Sequence, residues 1–90
     1  TTVWTGNYAG EDGGAFYLGD GEMTFNGEST WSTNSAGANG GALYAGDGIV
    51  FNNKSMWSFN SAEENGGALY VYRRGTVTLN GESVWSHNFA

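Results

Sequence analysis

Two stretches that repeat each other decide the fold. Trp31-Ser32-Thr33-Asn34 precedes Gly40-Gly41-Ala42-Leu43-Tyr44, and Trp57-Ser58-Phe59-Asn60 precedes Gly66-Gly67-Ala68-Leu69-Tyr70. Outward from these, the same order begins at Trp4, with Asn7 and Gly13-Gly14-Ala15-Phe16-Tyr17. It opens once more at Trp85, with Asn88. The Trp steps are 27, 26 and 28 residues. A further landmark closes each unit, as Met23-Thr24-Phe25-Asn26, Ile49-Val50-Phe51-Asn52 and Val77-Thr78-Leu79-Asn80. Landmarks that recur in phase mark a repeat architecture.

A period near 27 excludes most repeat folds. Leucine-rich repeats need Leu at several fixed offsets, and here Leu stands only at 18, 43, 69 and 79. Helices are excluded because Gly, Asn, Ser and Thr interrupt every window before a helical stripe forms. Each unit instead holds three β-patterned runs divided by Gly and Asn turns, in the second unit 29–34, 41–45 and 48–52. The expectation is an all-β, right-handed, single-stranded parallel β-helix with three strands per coil. Its coils cover about 4–30, 31–56 and 57–84, with a fourth starting at 85–90.

In such a solenoid equivalent residues stack about 4.8 Å apart and every column becomes a ladder. Trp4, Trp31, Trp57 and Trp85 form one column, each indole burying on the order of 200 Å². Phe25, Phe51 and Leu79 form a second inward column, and Met23, Ile49 and Val77 a third. Phe16, Leu43 and Leu69 are expected inside with Gly14, Gly41 and Gly67, whose small size admits the facing Trp. Period-two alternation then turns Ala15, Ala42 and Ala68 outward, with Tyr17, Tyr44 and Tyr70. Asn7, Asn34, Asn60 and Asn88 sit where the strand turns; Asn tolerates left-handed backbone and its amides stack in ladders.

Composition narrows the function. With no Cys and a single imidazole, His87, there is no disulfide and no zinc site. The net charge of −6, with Lys54, Arg73 and Arg74 the only basic residues besides His87, argues against nucleic acid or anionic lipid as partner. No apolar run approaches the ~20 residues that span a bilayer, so direct membrane insertion is not expected.

Gly-Gly-Ala plus an apolar residue, paired with an aromatic-x-x-Asn tetrapeptide, resembles the repeats of the chlamydial polymorphic outer membrane proteins. The matching residues are GGAF, GGAL and GGAL at 13–16, 40–43 and 66–69, and WTGN, WSTN, WSFN and WSHN at 4–7, 31–34, 57–60 and 85–88. The family tetrapeptide begins with Phe, whereas here it begins with Trp. The resemblance implies a β-helical passenger of the autotransporter kind, displayed on a cell surface and often adhesive.

Few residues suggest chemistry. Asp20 and Asp47, in matching Gly-Asp-Gly turns with Glu22 nearby, have the oxygen chemistry of a calcium site. Arg73-Arg74-Gly75 breaks that pattern in the third unit, and plain turns are the expectation. The acidic pairs Glu11/Asp12 and Glu63/Glu64 occupy one loop two coils apart, in the manner of carbohydrate-cleaving carboxylates. Ala38 and Asn39 stand between them, so a solvated loop is expected. His87 occupies the variable place of its tetrapeptide and reads as a surface residue. The Thr residues share no column, which removes an ice-binding face. Asn53-Lys54-Ser55 matches the glycosylation sequon. Tyr17, Tyr44 and Tyr70 are the candidate binding surface, an outward aromatic strip.

Nothing resembles a cap at either end, and bare solenoid ends expose core and strand edges. Identical copies stacked end to end would leave a notch after Ala90, which favours a segment of a longer solenoid. The expected function is therefore structural: an extracellular, surface-displayed or filament-forming rod without catalysis or cofactor. Its partner is itself, or adjoining repeats. An adhesin contacting a host receptor or glycan through the Tyr column is the alternative.

Overall fold

Runs such as Ile49-Val50-Phe51 and Ser55-Met56-Trp57-Ser58 alternate inward and outward side chains. Asn or Gly directly follows eight of the thirteen described strands, and the strands are two to four residues long. The computed structural model describes residues 1–19, 21–71 and 76–90. Four strands have Trp at their third position: β1 (Thr2–Thr5), β5 (Ser29–Ser32), β9 (Ser55–Ser58) and β13 (Ser83–Ser86). A two-residue strand follows each of the first three, β2 (Tyr8–Ala9), β6 (Ser35–Ala36) and β10 (Ser61–Ala62). The Gly-Gly-Ala segments lead into β3 (Phe16–Leu18), β7 (Leu43–Ala45) and β11 (Leu69–Val71). The units close with β4 (Met23–Phe25), β8 (Ile49–Phe51) and β12 (Val77–Leu79).

These strands form four parallel sheets that stack coil on coil, a parallel β-solenoid. One sheet runs β1-β5-β9-β13 and pairs Trp4 with Trp31, Trp31 with Trp57, and Trp57 with Trp85. In the others Leu43 pairs with Phe16 and Leu69, and Phe51 with Phe25 and Leu79.

The core lies in the two middle coils, where Trp31, Trp57, Leu43, Ile49 and Phe51 are buried. The indoles stack with centroids 5.1, 4.8 and 4.7 Å apart and planes within 7° of parallel. Phe25 and Phe51 stack at 5.0 Å and stand nearly perpendicular to the indoles, at 79° for Phe25–Trp31 and 85° for Phe51–Trp57. Each such aromatic pair contributes about 0.5–1.5 kcal/mol beyond burial. Val77, Leu79 and Trp85 continue inward columns but are partly exposed, because they lie on the C-terminal face of the stack.

Four expectations need correction. Each complete coil has four strands, not three; the fourth is the two-residue strand after the Asn. A left-handed residue bends the chain just before that Asn, and extended pairing resumes immediately beyond it. That residue is Gly6, Thr33, Phe59 or His87, with φ from 55° to 68°, so the left-handed conformation does not belong to the Asn. The Ala column is also inside rather than outside: Ala42 and Ala68 join the core. The reason is that Gly13, Gly40 and Gly66 have φ near +67° and form a turn, so strand alternation begins only at Phe16, Leu43 and Leu69, after the Ala. Finally, Gly41 is small because of backbone rather than Trp. A Cβ there would lie 2.5 Å from the Ser61 carbonyl oxygen and 2.6 Å from its nitrogen.

Candidate functional site

The most elaborate constellation in the chain is a set of three amide ladders. In the first, the backbone N–H and Nδ2 of Asn7 both donate to Asn34 Oδ1, at 3.0 and 2.9 Å. Asn34 donates in the same way to Asn60 Oδ1, at 3.0 Å each, and Asn60 to Asn88 Oδ1, at 3.1 and 2.9 Å. The other Nδ2 hydrogen goes back one coil to a Trp carbonyl: Asn34 to Trp4, Asn60 to Trp31, Asn88 to Trp57. Asn34 and Asn60 are fully buried, so these bonds satisfy groups that water does not reach. Because the backbone supplies both a donor and an acceptor, the amides have one orientation, with donors facing the C-terminal neighbour.

The other two ladders run in the opposite sense. Asn52 donates through Nδ2 to Asn26 Oδ1 at 2.9 Å, and Asn80 to Asn52 Oδ1 at 2.7 Å. Asn39 donates through N–H and Nδ2 to Asp12 Oδ1 at 3.1 Å, and Asn65 through Nδ2 to Asn39 Oδ1 at 3.0 Å. Asn26, Asn52 and Asn80 end a repeated motif in the sequence, but only the structure brings their amides into contact. Asp12 starts its column as a pure acceptor.

The predicted site residues sort as follows. Tyr17, Tyr44 and Tyr70 form a stacked column, with centroids 4.8 Å apart for Tyr17–Tyr44 and 5.5 Å for Tyr44–Tyr70. Tyr44 is only 9% exposed, with a neighbouring ring stacked on each of its faces. A sugar stacks on an aromatic face, and this column presents edges instead; Tyr17, at 56% exposure, is the most open member.

Asp47 Oδ1 accepts the Gly48 N–H at 2.9 Å, a local turn bond. Asp20 and the turn Arg73-Arg74-Gly75 lie outside the described residues. Among the described residues no three His, Asp or Glu side chains converge on a point. Backbone bonds from Ala38 to Glu11 and from Glu64 to Ala38 put the two glutamates in one column, two steps apart with Ala38 between. That separation is about 10 Å by strand spacing. Asp12 falls in register with Asn39 and Asn65 rather than with an acid. His87 is exposed and stacks on Phe59 at 4.8 Å and 6°. Asn53 is exposed, and its Oδ1 accepts the Lys54 N–H at 2.8 Å.

A column that sequence reasoning missed is Thr2, Ser29, Ser55 and Ser83, two residues before each Trp on the same strand. Ser29 Oγ and Ser55 Oγ are buried with no hydrogen-bond partner among the described residues, as are Nε1 of Trp4, Trp31 and Trp57. Strict alternation around Trp would have placed those serines inside. A cleft of about 360 Å³ opens beside Ala68, Leu69 and the 85–88 segment, where the stack stops short. Compared with protein-family models, curated proteins and solved structures, the chain matches none.

Proposed function

We propose that this chain is a structural segment of an extracellular or surface-displayed β-solenoid, a stiff rod whose work is mechanical. The observation that carries this reading is the unbroken Asn7–Asn34–Asn60–Asn88 ladder beside the stacked Trp column. Every coil is joined to the next by strand pairing, asparagine amide bonds and ring stacking in the same places. The chain thus invests its asparagine amides in coil-to-coil cohesion. A surface role agrees with the resemblance of the Gly-Gly-Ala and Trp-x-x-Asn motifs to polymorphic outer membrane protein repeats, and the net charge of −6 keeps lateral faces apart.

Single-molecule pulling on the two ends tests the mechanical reading. Expected are discrete coil-sized length steps at forces well above those that extend an unstructured linker. A featureless extension at linker-like force would remove it. The adhesin reading rests on the exposure of Tyr17. Tyr17→Ala abolishing retention on a glycan surface, with the fold intact, would favour it over the mechanical one.

A further inference from the structure

Of the ten asparagines, nine stand in the three ladders, each with its amide bonded to a neighbouring coil. Asn53 is the exception. It is exposed in the turn between β8 and β9. Its Oδ1 accepts the Lys54 N–H at 2.8 Å, and its Nδ2 has no hydrogen-bond partner among the described residues.

Register explains why this amide stays out of a ladder. Asn52 is bonded to Asn26 and Asn80, and Ser55 pairs with Ser29 and Ser83, so Asn53 lies between Gly27 and Gly81. Neither neighbour has a side chain that could bond or crowd the amide. Gly81 cannot gain one, because a Cβ there would lie 2.5 Å from the Asn53 carbonyl carbon. A group attached to Asn53 Nδ2 thus leaves the turn into solvent without meeting a side chain of its own column.

Asn53 also heads the only Asn-x-Ser/Thr triplet in the chain, Asn53-Lys54-Ser55. An oligosaccharyltransferase that reads this triplet binds the hydroxyl at its third position while the amide reacts. In the folded coil that hydroxyl is out of reach, since Ser55 is 0% exposed and its strand holds it beside the Trp column. The turn keeps the amide outside and the hydroxyl inside. The two are presented together only before β9 closes on the core.

We propose that Asn53 is an N-glycan acceptor, modified while its coil is still unfolded, and that the folded solenoid carries the glycan on the turn between β8 and β9. The proposal rests on the extracellular reading above, because export is what takes the chain past the transferase. The co-reactant is a polyprenyl-diphosphate-linked oligosaccharide. Asn53 Nδ2 forms a bond to the anomeric carbon of its first sugar, and the bond from that carbon to the diphosphate oxygen breaks. The diphosphate leaves with the electron pair, and Nδ2 gives up one proton to a base of the transferase. What remains is a neutral N-linked amide on an exposed turn, with every ladder bond and the Ser55 position unchanged.

The test translates the full chain, behind a cleavable secretion signal, in a cell-free system with microsomes that hold the transferase and its lipid-linked donor. Protease protection selects the chains that have entered. The wild type is expected to gain the mass of one core glycan, removable by endoglycosidase, and Asn53→Gln and Ser55→Ala are each expected to lose that shift completely. Purified wild type that has already folded, given to the same transferase, is expected to remain unmodified. Urea unfolding of the glycosylated chain is expected at the midpoint it shows after the glycan has been removed. A wild type that enters without a mass shift, or a shift that survives Asn53→Gln, overturns the acceptor assignment. A folded chain modified as readily as the nascent one overturns the order of events, and a midpoint lowered by the glycan overturns its accommodation. The rod reading stands or falls separately, by coil-by-coil resistance in pulling.

Discussion

Asn34 Nδ2 donates at 3.0 Å to Asn60 Oδ1 in the next coil and at 3.0 Å to the Trp4 carbonyl in the preceding coil. One side chain therefore ties three coils together from the interior. It explains how strands of four residues hold their register, since a slip of one residue would break both bonds. The exposed ladder through Asn52 has the same spacing but faces water, where a lost bond is replaced by solvent.

This contrast sets the first expectation. Asn60→Ala leaves the Asn34 N–H, one Asn34 Nδ2 hydrogen and the Trp31 carbonyl without their Asn60 partners in a dry interior. It is expected to destabilise by about 3 kcal/mol or more, each orphaned buried group costing roughly 1–3 kcal/mol. Asn52→Ala is expected to cost no more than about 1 kcal/mol. Urea unfolding of the two variants decides it; equal losses would mean that the buried ladder is not special.

The left-handed residue before each ladder Asn is Gly only in the first coil. Thr33, at φ 58°, is β-branched and strained there, and its side chain is exposed. Thr33→Gly is expected to raise stability by about 1 kcal/mol, the usual cost of a left-handed non-glycine residue less the added freedom of the unfolded chain. Thermal unfolding measures it, and a lower midpoint would show that the Thr33 side chain contributes more than the strain costs.

Glycines differ sharply in what they tolerate. Gly41→Ala drives a Cβ into the Ser61 backbone and the Gly67 carbonyl, atoms that cannot move without breaking the sheet. It is expected to unfold the middle coils. At Gly10 a Cβ meets nothing within 4 Å and φ is not left-handed. Gly10→Ala is expected to stay within about 0.5 kcal/mol of the parent, as surface changes usually do. Near-ultraviolet circular dichroism of the stacked indoles reports both; an intact signal in Gly41→Ala would contradict the close-approach argument.

Ser55 Oγ is buried beside the Trp column and has no hydrogen-bond partner among the described residues. Removing the hydroxyl takes away a desolvation penalty and leaves little space behind. Ser55→Ala is expected to be neutral or to stabilise by up to about 1 kcal/mol. A loss above that size in urea unfolding would reveal a hydrogen bond that holds the hydroxyl.

The repeat, the parallel stacking and the Trp, Phe and Tyr columns were legible in the residues. They follow from period alone: once Trp recurs every 26–28 positions on short alternating strands, equal side chains must stack. The Asn ladder was legible for the same reason, as a column. Its direction was not, because which way an amide points depends on whether a backbone N–H or carbonyl of the neighbouring coil faces it. The fourth strand escaped notice because two residues carry no periodicity. Ala42 was misplaced because alternation was carried back through a turn that only the φ of Gly40 reveals. The Tyr rings do stack as a column, but the exposure expected of that column holds for Tyr17 and not for Tyr44. Stacking at 4.8 Å hides the ring faces, and that distance belongs to the coil spacing rather than to any residue. Composition and period therefore determined which residues form columns. The tertiary structure decided which atoms of each column are spent inside it and which are left for something else.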